Sequence, residues 1–185
     1  MQSIIDENTY QKYFVHLLAG DKQYCSEIVN EYLNQQIDLK DLYENLFRRS
    51  LYEVGDLWEK NHISVSVEHL ATSLTSALLN LVYPILFSQN KTSKKAVISC
   101  VANEYHLIGA QMVSDFFELN QWNSLFLGAN VPGDELIKLI DKEKPDLIAL
   151  SLTLYSNMPK LLNLLEKINA FYRDSIHILV GGQAF

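Results

Sequence analysis

A carboxylate and an imidazole stand two positions apart at Glu104 and His106, between an apolar run and an amphipathic segment. At that spacing the carboxylate can accept a hydrogen bond from one imidazole nitrogen, which fixes the tautomer and leaves the other nitrogen free to coordinate a metal. Gly109, three residues further on, would let a bulky group approach the first turn of the following helix. The structural alternative is that His106 caps this helix and Glu104 complements its positive end, and the pair alone favours that alternative.

Two later stretches could contribute to the same site. Ser151 and Thr153 place small hydroxyl side chains at the end of one apolar run, and Gly181 and Gly182 follow another. Two adjacent glycines let backbone amides lie directly against a flat or phosphate-bearing ligand. Each signal is weak by itself, since Gly-Gly after a strand is more often a tight turn. Together these stretches predict one long cleft.

The first half of the chain has the periodicity of helices. Its apolar residues recur at helical spacing, which predicts helices near 7–19, 22–36, 39–60 and 65–87. Gly20, Asp21 and Asp38 supply the breaks and caps between them. Because the connections are short, neighbouring helices should be antiparallel, which predicts a four-helix bundle as a cap domain over residues 1–88.

The second half alternates short β-branched runs with amphipathic segments. The predicted strands are Ala96–Val101, Ser124–Leu127, Leu147–Leu152 and His177–Val180, and the predicted helices are 107–120, 133–142 and 157–172. This alternation is typical of right-handed βαβ units, so we predict an α/β domain with a parallel sheet over residues 94–185. Ligands of such sheets bind beyond the carboxyl ends of the strands, where Glu104 and His106 would lie.

Composition restricts the class of partner. The chain has 185 residues, 48% of them hydrophobic, and a net charge of −7. This charge argues against direct nucleic-acid binding, which depends on clustered Lys and Arg. No secretory signal is visible and we count no apolar run near the roughly 20 residues that span a bilayer, so we expect a cytoplasmic protein with no membrane partner. Cys25 and Cys100 lack metal-type spacing and are expected to be reduced thiols.

The motif Glu104-x-His106-x-x-Gly109 resembles the lower-ligand motif of the cobalamin-binding Rossmann-like domain, which is usually Asp-x-His-x-x-Gly. The resemblance implies a Rossmann- or flavodoxin-like fold with cobalamin as cofactor. It also implies that His106 is the metal ligand beneath cobalt, in place of the cofactor's own dimethylbenzimidazole. Glu104 would be its hydrogen-bond partner, with one methylene more than the usual Asp.

The same resemblance implies a pocket for the displaced nucleotide tail of the cofactor. Its residues would be Ser151, Thr153, Gly181 and Gly182, and the loop around Val131 would lie near the corrin ring. The family fold normally continues past its fourth strand with a helix, a fifth strand and a last helix. The sequence ends at Phe185 without them, so either the chain is truncated or this domain is short. The fourth strand would then be an open sheet edge, which we expect a missing or externally supplied element to cover.

Trp58 precedes Glu68 and His69 by a fixed interval in the helical half. Without a family in view, this is a core tryptophan followed by a glutamate that complements a helix N-terminus. The spacing nevertheless resembles the helical cap of adenosylcobalamin-dependent light-responsive regulators. The resemblance implies that Trp58 shields the adenosyl group and that Glu68 and His69 lie near it. Some relatives carry a histidine where this chain has Glu59, so another residue would have to capture cobalt after photolysis.

Three functions are consistent with these motifs. The leading hypothesis is a non-enzymatic sensor, of light through adenosylcobalamin, whose output is a change of oligomeric state or of contact with a regulatory protein partner. The alternative is a corrinoid methyl carrier of a methyltransferase system, although carriers usually have Gly-Asp-x-His-Asp-Ile-Gly around the lower ligand. A third is a scaffold without cofactor. Light-responsive transcription regulators usually carry a helix-turn-helix segment before the bundle, and we see none here, so direct operator binding is not expected.

Overall fold

The computed structural model describes residues 5–86 and 91–185. The chain divides into two compact units, Met1–Ile85 and Leu86–Phe185. We call the first the helical unit and the second the Rossmann-like unit. The predicted boundary near residue 88 lies outside the described residues.

The helical unit consists of consecutive helices with short connections. They are α1 (Glu7–Ala19), α2 (Lys22–Asn34), α3 (Leu39–Leu42), a π-helical segment (Tyr43–Arg48), α4 (Arg49–Glu59), α5 (Val65–Leu79) and α6 (Tyr83–Leu86). The predicted breaks are confirmed: Gly20 ends α1 with a left-handed φ of 71°, and Asp21 and Asp38 accept backbone N–H bonds at the starts of α2 and α3. The core of this unit is rich in large side chains, among them Tyr10, Tyr13, Leu17, Leu46, Phe47, Leu78 and Leu79.

Two of the predicted helices differ from the observed ones. The helix predicted over 39–60 contains the π-helical segment, and the one predicted over 65–87 stops at Leu79 before resuming at Tyr83. Pro84 explains the second difference, because its ring has no N–H to give to a continuous helix and collides with the carbonyl four residues earlier. Residue 87 lies outside the described residues.

By length and composition alone, the stretch Val65–Leu86 could cross a membrane, with a mean hydropathy of 1.2. The stretch is not an uninterrupted apolar run, since it contains Glu68 and His69. In the structure, α5 buries Ala71, Leu74 and Leu78 inside the helical unit, as the core helix of a bundle does.

In the Rossmann-like unit, the described residues form four parallel strands. They are β1 (Lys95–Cys100), β2 (Asn123–Phe126), β3 (Leu147–Ser151) and β4 (His177–Gly181), in the order β2-β1-β3-β4. The helices between them are α7 (Ile108–Leu119), α8 (Gly133–Glu143) and α9 (Met158–Tyr172). The predicted fold class, a helical cap region followed by a Rossmann-like parallel sheet, is confirmed.

The central strands are buried because helices cover both faces of the sheet. One core cluster packs α8 and α9 on one face and includes Val97, Leu136, Ile140, Ile148, Leu161, Leu164 and Ile168. The other packs α7 on the opposite face and includes Ala96, Ile98, Cys100, Ala110 and Ala149. Strand β4 is an edge of this sheet, with Ile178, Leu179 and Val180 exposed. The carboxyl ends of β1 and β3 are adjacent, so the loops that follow them lie side by side.

Candidate functional site

Glu104 is fully buried at the carboxyl edge of the sheet, with 0% of its surface exposed. Its Oε1 accepts the backbone N–H of His106 at 3.1 Å and also contacts Nδ1 of the His106 ring. Its Oε2 accepts the backbone N–H groups of Thr153 and Leu154, each at 2.9 Å. One carboxylate therefore joins the loop after β1 to the loop after β3.

These donors keep the carboxyl group of Glu104 ionised. Burial by itself would raise its pKa, but the hydrogen bonds from Leu154, His106 and Thr153 outweigh burial and lower the pKa from 4.5 to about 2. An ionised carboxylate can only accept, so Nδ1 of His106 must carry the proton. The lone pair of the neutral imidazole is then on Nε2.

The low pKa of Glu104 predicts a loss of stability in acid. A carboxyl group with a depressed folded pKa stabilises the fold above its unfolded value and loses that effect as the pH falls through the folded value. Between pH 4.5 and 2 the free energy of unfolding should therefore drop by about 3 kcal/mol more in the wild type than in Glu104→Gln, which has no such titration. Urea unfolding across this range measures the difference, and parallel curves for the two proteins would contradict the assigned ionisation.

His106 is available to a ligand, because 54% of its side chain is exposed. Within residues 5–86 and 91–185, no group forms a hydrogen bond with its Nε2. Helix α7 begins after Leu107 without a side-chain cap, so the alternative in which His106 caps this helix is wrong. A side chain at Gly109 would meet no other atom within 4 Å, which leaves open space over the first turn of α7.

Cys100 lies directly beneath this loop, and its thiol contacts the carbonyl oxygen of His106 at 3.7 Å. Burial, followed by the nearby charge of Glu104, raises the pKa of the thiol to about 11. Cys100 is therefore a neutral thiol near pH 7. A cysteine coordinates a metal as the thiolate, so Cys100 is poorly suited to that role. Of the two side chains, His106 is the better metal ligand.

The predicted tail-pocket residues fall on two adjacent strand ends. Ser151 is the last residue of β3, and Thr153 donates its backbone N–H to Glu104. Gly181 ends β4, and a side chain there would meet no atom within 4 Å. Gly182 is different, because a Cβ built on it would lie 2.2 Å from the carbonyl oxygen of Leu152. A glycine is therefore required at position 182 because two loops of this chain come into contact there. The sequence pattern did not indicate this requirement.

Val131, predicted to lie near a corrin ring, is partly buried against the core of the Rossmann-like unit. Its neighbour Asn130 is the residue that reaches the Glu104 loop. The side-chain oxygen of Asn130 accepts the backbone N–H of Asn103 at 2.8 Å. The backbone N–H of Asn130 donates to the carbonyl of Glu104 at 2.9 Å. Asn157 donates from Nδ2 to the carbonyl of Asn103 at 3.1 Å. The sequence reasoning missed both asparagines. For Asn130 a signal existed, because an asparagine in the loop after a strand is among the residues that adopt left-handed backbone, as it does here.

The residues predicted from the helical half lie in the helical unit. Trp58 is near the end of α4 and 50% exposed, so it is not the core tryptophan of the structural alternative. Glu68 lies in the first turn of α5, accepts the hydroxyl of Thr72 at 2.9 Å and contacts Nδ1 of His69. The imidazole of His69 is largely exposed.

Exposed apolar side chains lie in the two loops that Glu104 joins. They are Tyr105 in the loop after β1, and Leu154 and Tyr155 in the loop after β3. Exposed apolar side chains close to an oriented polar group are typical of a ligand contact surface. No group of three or more His, Cys, Asp or Glu residues that could hold a metal ion occurs in the described part of the chain. The donor set is a single oriented imidazole, which suits a metal whose other ligands belong to a macrocycle.

Two family models, each described as a B12 binding domain, match this chain. One matches residues 9–83 and the other residues 94–185. The chain belongs to the B12-binding proteins. The predicted resemblance to cobalamin-binding proteins is thus confirmed in both units, and cobalamin binding is the family property that the Glu104–His106 pair fits.

The B12-binding protein is similar to several curated proteins. Trimethylamine corrinoid protein 1 of Methanosarcina acetivorans is 24% identical over 166 residues, which cover 88% of this chain and 77% of the relative. A corrinoid protein of Desulfitobacterium hafniense is 21% identical over 90% of this chain and 79% of its own length. The HTH-type transcriptional repressor CarH of Myxococcus xanthus is 23% identical over 90% of this chain, but over only 54% of its own length.

The fold is shared with a solved structure. The monomethylamine corrinoid protein of Methanosarcina barkeri superposes with a TM-score of 0.83 at 20% sequence identity, over 94% of this chain and 84% of the other. At this identity the likeness shows that the B12-binding protein has the same fold.

Proposed function

We propose that this B12-binding protein is a corrinoid carrier subunit of a methyl-transfer system and that His106 is its lower ligand to cobalt. The hydrogen-bonded Glu104–His106 pair carries the proposal, since it presents Nε2 of a half-exposed imidazole with its tautomer fixed. Support also comes from relatives named as trimethylamine corrinoid proteins, which match 88% of the chain. The sequence alone made the light sensor the leading hypothesis and the methyl carrier the alternative. With these relatives, we prefer the carrier.

When bound, the corrinoid supplies a cobalt centre that can accept and release a methyl group. His106 would hold the cobalt by donating the lone pair of Nε2. Glu104 keeps the Nδ1 proton in place, and its charge makes the ring a stronger donor than a free imidazole. A proton or methyl acceptor in the protein is not required for this role, so the chain itself needs no catalytic residue.

The remaining proposed cofactor contacts follow the strand ends. Ser151, Thr153 and Gly181 would hold the nucleotide tail, where Gly181 leaves open space for it. Gly109 would admit the corrin ring over α7, and Val131 would contact its rim. Gly182 would contribute by holding the two tail loops together. In the helical unit, Trp58, Glu68 and His69 are the proposed contacts of the upper ligand.

His106→Ala tests the lower-ligand assignment directly. The protein reconstituted with methylcobalamin should show the absorption of a histidine-bound cobalt, and the variant should lose that signature completely. His177→Ala is the matched control, because His177 is an exposed histidine of the same unit at the start of β4. A variant spectrum identical to that of the wild type would show that another group is the ligand.

A second candidate is the light sensor that the helical half suggests. The observation in its favour is Trp58 with Glu68 and His69, at the spacing found in adenosylcobalamin-dependent regulators, together with similarity to the repressor CarH. This candidate needs adenosylcobalamin as the bound form and a regulatory partner or a second copy of the chain as the output.

One experiment separates the two candidates. The full chain is reconstituted in darkness with methylcobalamin and, separately, with adenosylcobalamin, and its elution volume is measured before and after green light. A carrier binds methylcobalamin at least as tightly as adenosylcobalamin and elutes unchanged after light. Preference for adenosylcobalamin with a changed elution volume would overturn the carrier proposal, and failure to bind either form would overturn both candidates.

A further inference from the structure

Asn103, the residue before Glu104, is held from two neighbouring loops. Asn103 has a left-handed backbone with φ of 66°, an unusual conformation for a residue other than glycine. Its N–H donates to the side chain of Asn130, after β2, and its carbonyl accepts from the side chain of Asn157, after β3. The backbone that leads into the Glu104–His106 pair is therefore fixed from both sides.

Asn130 is itself in a left-handed conformation, with φ of 53°. This backbone lets it make two contacts with consecutive residues: its side-chain oxygen accepts from Asn103, and its N–H donates to the carbonyl of Glu104. An exposed loop residue thus makes both its side chain and its main chain available to one short segment. The role of its side chain is that of an acceptor.

Asn157 has the complementary role of a donor. It is 7% exposed and stands immediately before α9, where an asparagine side chain usually accepts an N–H of its own helix. No such cap bond is formed at this helix start. The side chain is instead directed to the carbonyl of Asn103, which indicates that this contact takes precedence over stabilising α9.

We propose that Asn130 and Asn157 are positioning residues for His106. By fixing Asn103 from two loops, they set the backbone from which Glu104 and His106 project, and so the direction of Nε2. The inference rests on the proposed function, because its readout is the bond between His106 and cobalt.

The test uses aspartate, which is close to asparagine in shape but has no N–H donor. Because Asn130 accepts, Asn130→Asp should keep the wild-type ratio of histidine-bound to histidine-free cobalt in the protein reconstituted with methylcobalamin at fixed pH. Because Asn157 donates, Asn157→Asp should lower that ratio about three- to tenfold, the usual effect of one lost hydrogen bond. Asn130→Ala should lower it by a similar factor.

Asn120→Ala is the matched control, since it removes a side-chain bond to the carbonyl of Phe116 at the far end of α7. It should leave the ratio unchanged, whatever it does to the melting temperature. If Asn157→Asp and Asn130→Ala melt earlier yet keep the wild-type ratio, the two asparagines only stabilise the loops and the inference is overturned. If the wild type itself shows no histidine-bound cobalt, the proposed function fails first, so the two failures are distinguishable.

Discussion

Glu104→Ala is expected to lower the free energy of unfolding of the Rossmann-like unit by about 3–5 kcal/mol, the range for removing one partner of a buried charged network. The change leaves three backbone N–H groups and Nδ1 of His106 without their acceptor at a fully buried position. It also removes the carboxylate that links the side chain of His106 to the loop after β3. Denaturant unfolding measures the loss, and reconstitution with methylcobalamin should show a smaller histidine-bound fraction.

Glu135→Ala is the control for this variant. Glu135 is an exposed glutamate of the same unit, paired with Lys138 on the surface of α8, and its removal should change stability by less than about 0.5 kcal/mol. The loss of stability in Glu104→Asp should lie between those of Glu104→Ala and Glu135→Ala. A carboxylate one methylene shorter cannot reach His106 and the amides of Thr153 and Leu154 at the same time. A loss below about 1 kcal/mol for Glu104→Ala would contradict the network, since water would then satisfy the donors.

Gly182→Ala is expected to cost about 3 kcal/mol or more, from backbone strain and from displaced neighbours together. Gly182 has φ of 114°, which residues with a side chain rarely adopt, and the added carbon would meet the carbonyl oxygen of Leu152 at 2.2 Å. The same carbonyl accepts the N–H of Ala184, so the clash would disturb the contacts that join the loops after β3 and β4. Loss of tail binding should accompany the loss of stability.

Gly181→Ala is the matched control, because a carbon added there meets nothing within 4 Å. Both variants can be measured in a Trp58→Phe background, where Trp122 is the remaining one of the two tryptophans. Trp122 packs edge-on against Phe117 of α7, with ring centroids 5.2 Å apart, and so reports unfolding of the Rossmann-like unit. Equal stabilities for the two alanine variants would refute the close approach of Gly182 to Leu152.

The architecture of the second half could be predicted because its signal is local. Strands buried on both faces have continuous β-branched runs. The amphipathic segments between them are helices, and because such connections are short and right-handed, they restrict the chain to a parallel sheet with helices on its faces. In the helical unit, the caps at Asp21 and Asp38 were equally local. The π-helical segment was not predictable, since its apolar residues fit an ordinary helical period as well.

The core of the candidate site was only half predictable. The spacing of Glu104 and His106 indicates their own contact, but the other partners of Glu104 are backbone amides of Thr153 and Leu154, which any residue except proline could supply. The same holds for Gly182, whose constraint comes from a carbonyl thirty residues earlier. Such contacts depend on strand order, and they become visible only when β1 and β3 are known to be neighbours.

The choice between carrier and sensor depends on a different kind of information. Trp58, Glu68 and His69 are the proposed contacts of an upper ligand, but a tryptophan and a polar pair do not by themselves select an adenosyl over a methyl ligand. The similarity to trimethylamine corrinoid proteins moved the preference to the carrier. The cofactor form therefore stays a prediction for the reconstitution experiment.

The four hydrogen bonds at Glu104 are all made within the chain, so they form without a bound corrinoid. The entropy lost in ordering the loops after β1 and β3 is thus part of folding and not part of ligand association. In calorimetry, the heat capacity change of corrinoid binding should then reflect burial of apolar surface, such as that of Tyr105 and Tyr155, without a contribution from loop folding. The proposed site around Glu104 and His106 would then be a rigid receptor that is complete when the chain folds.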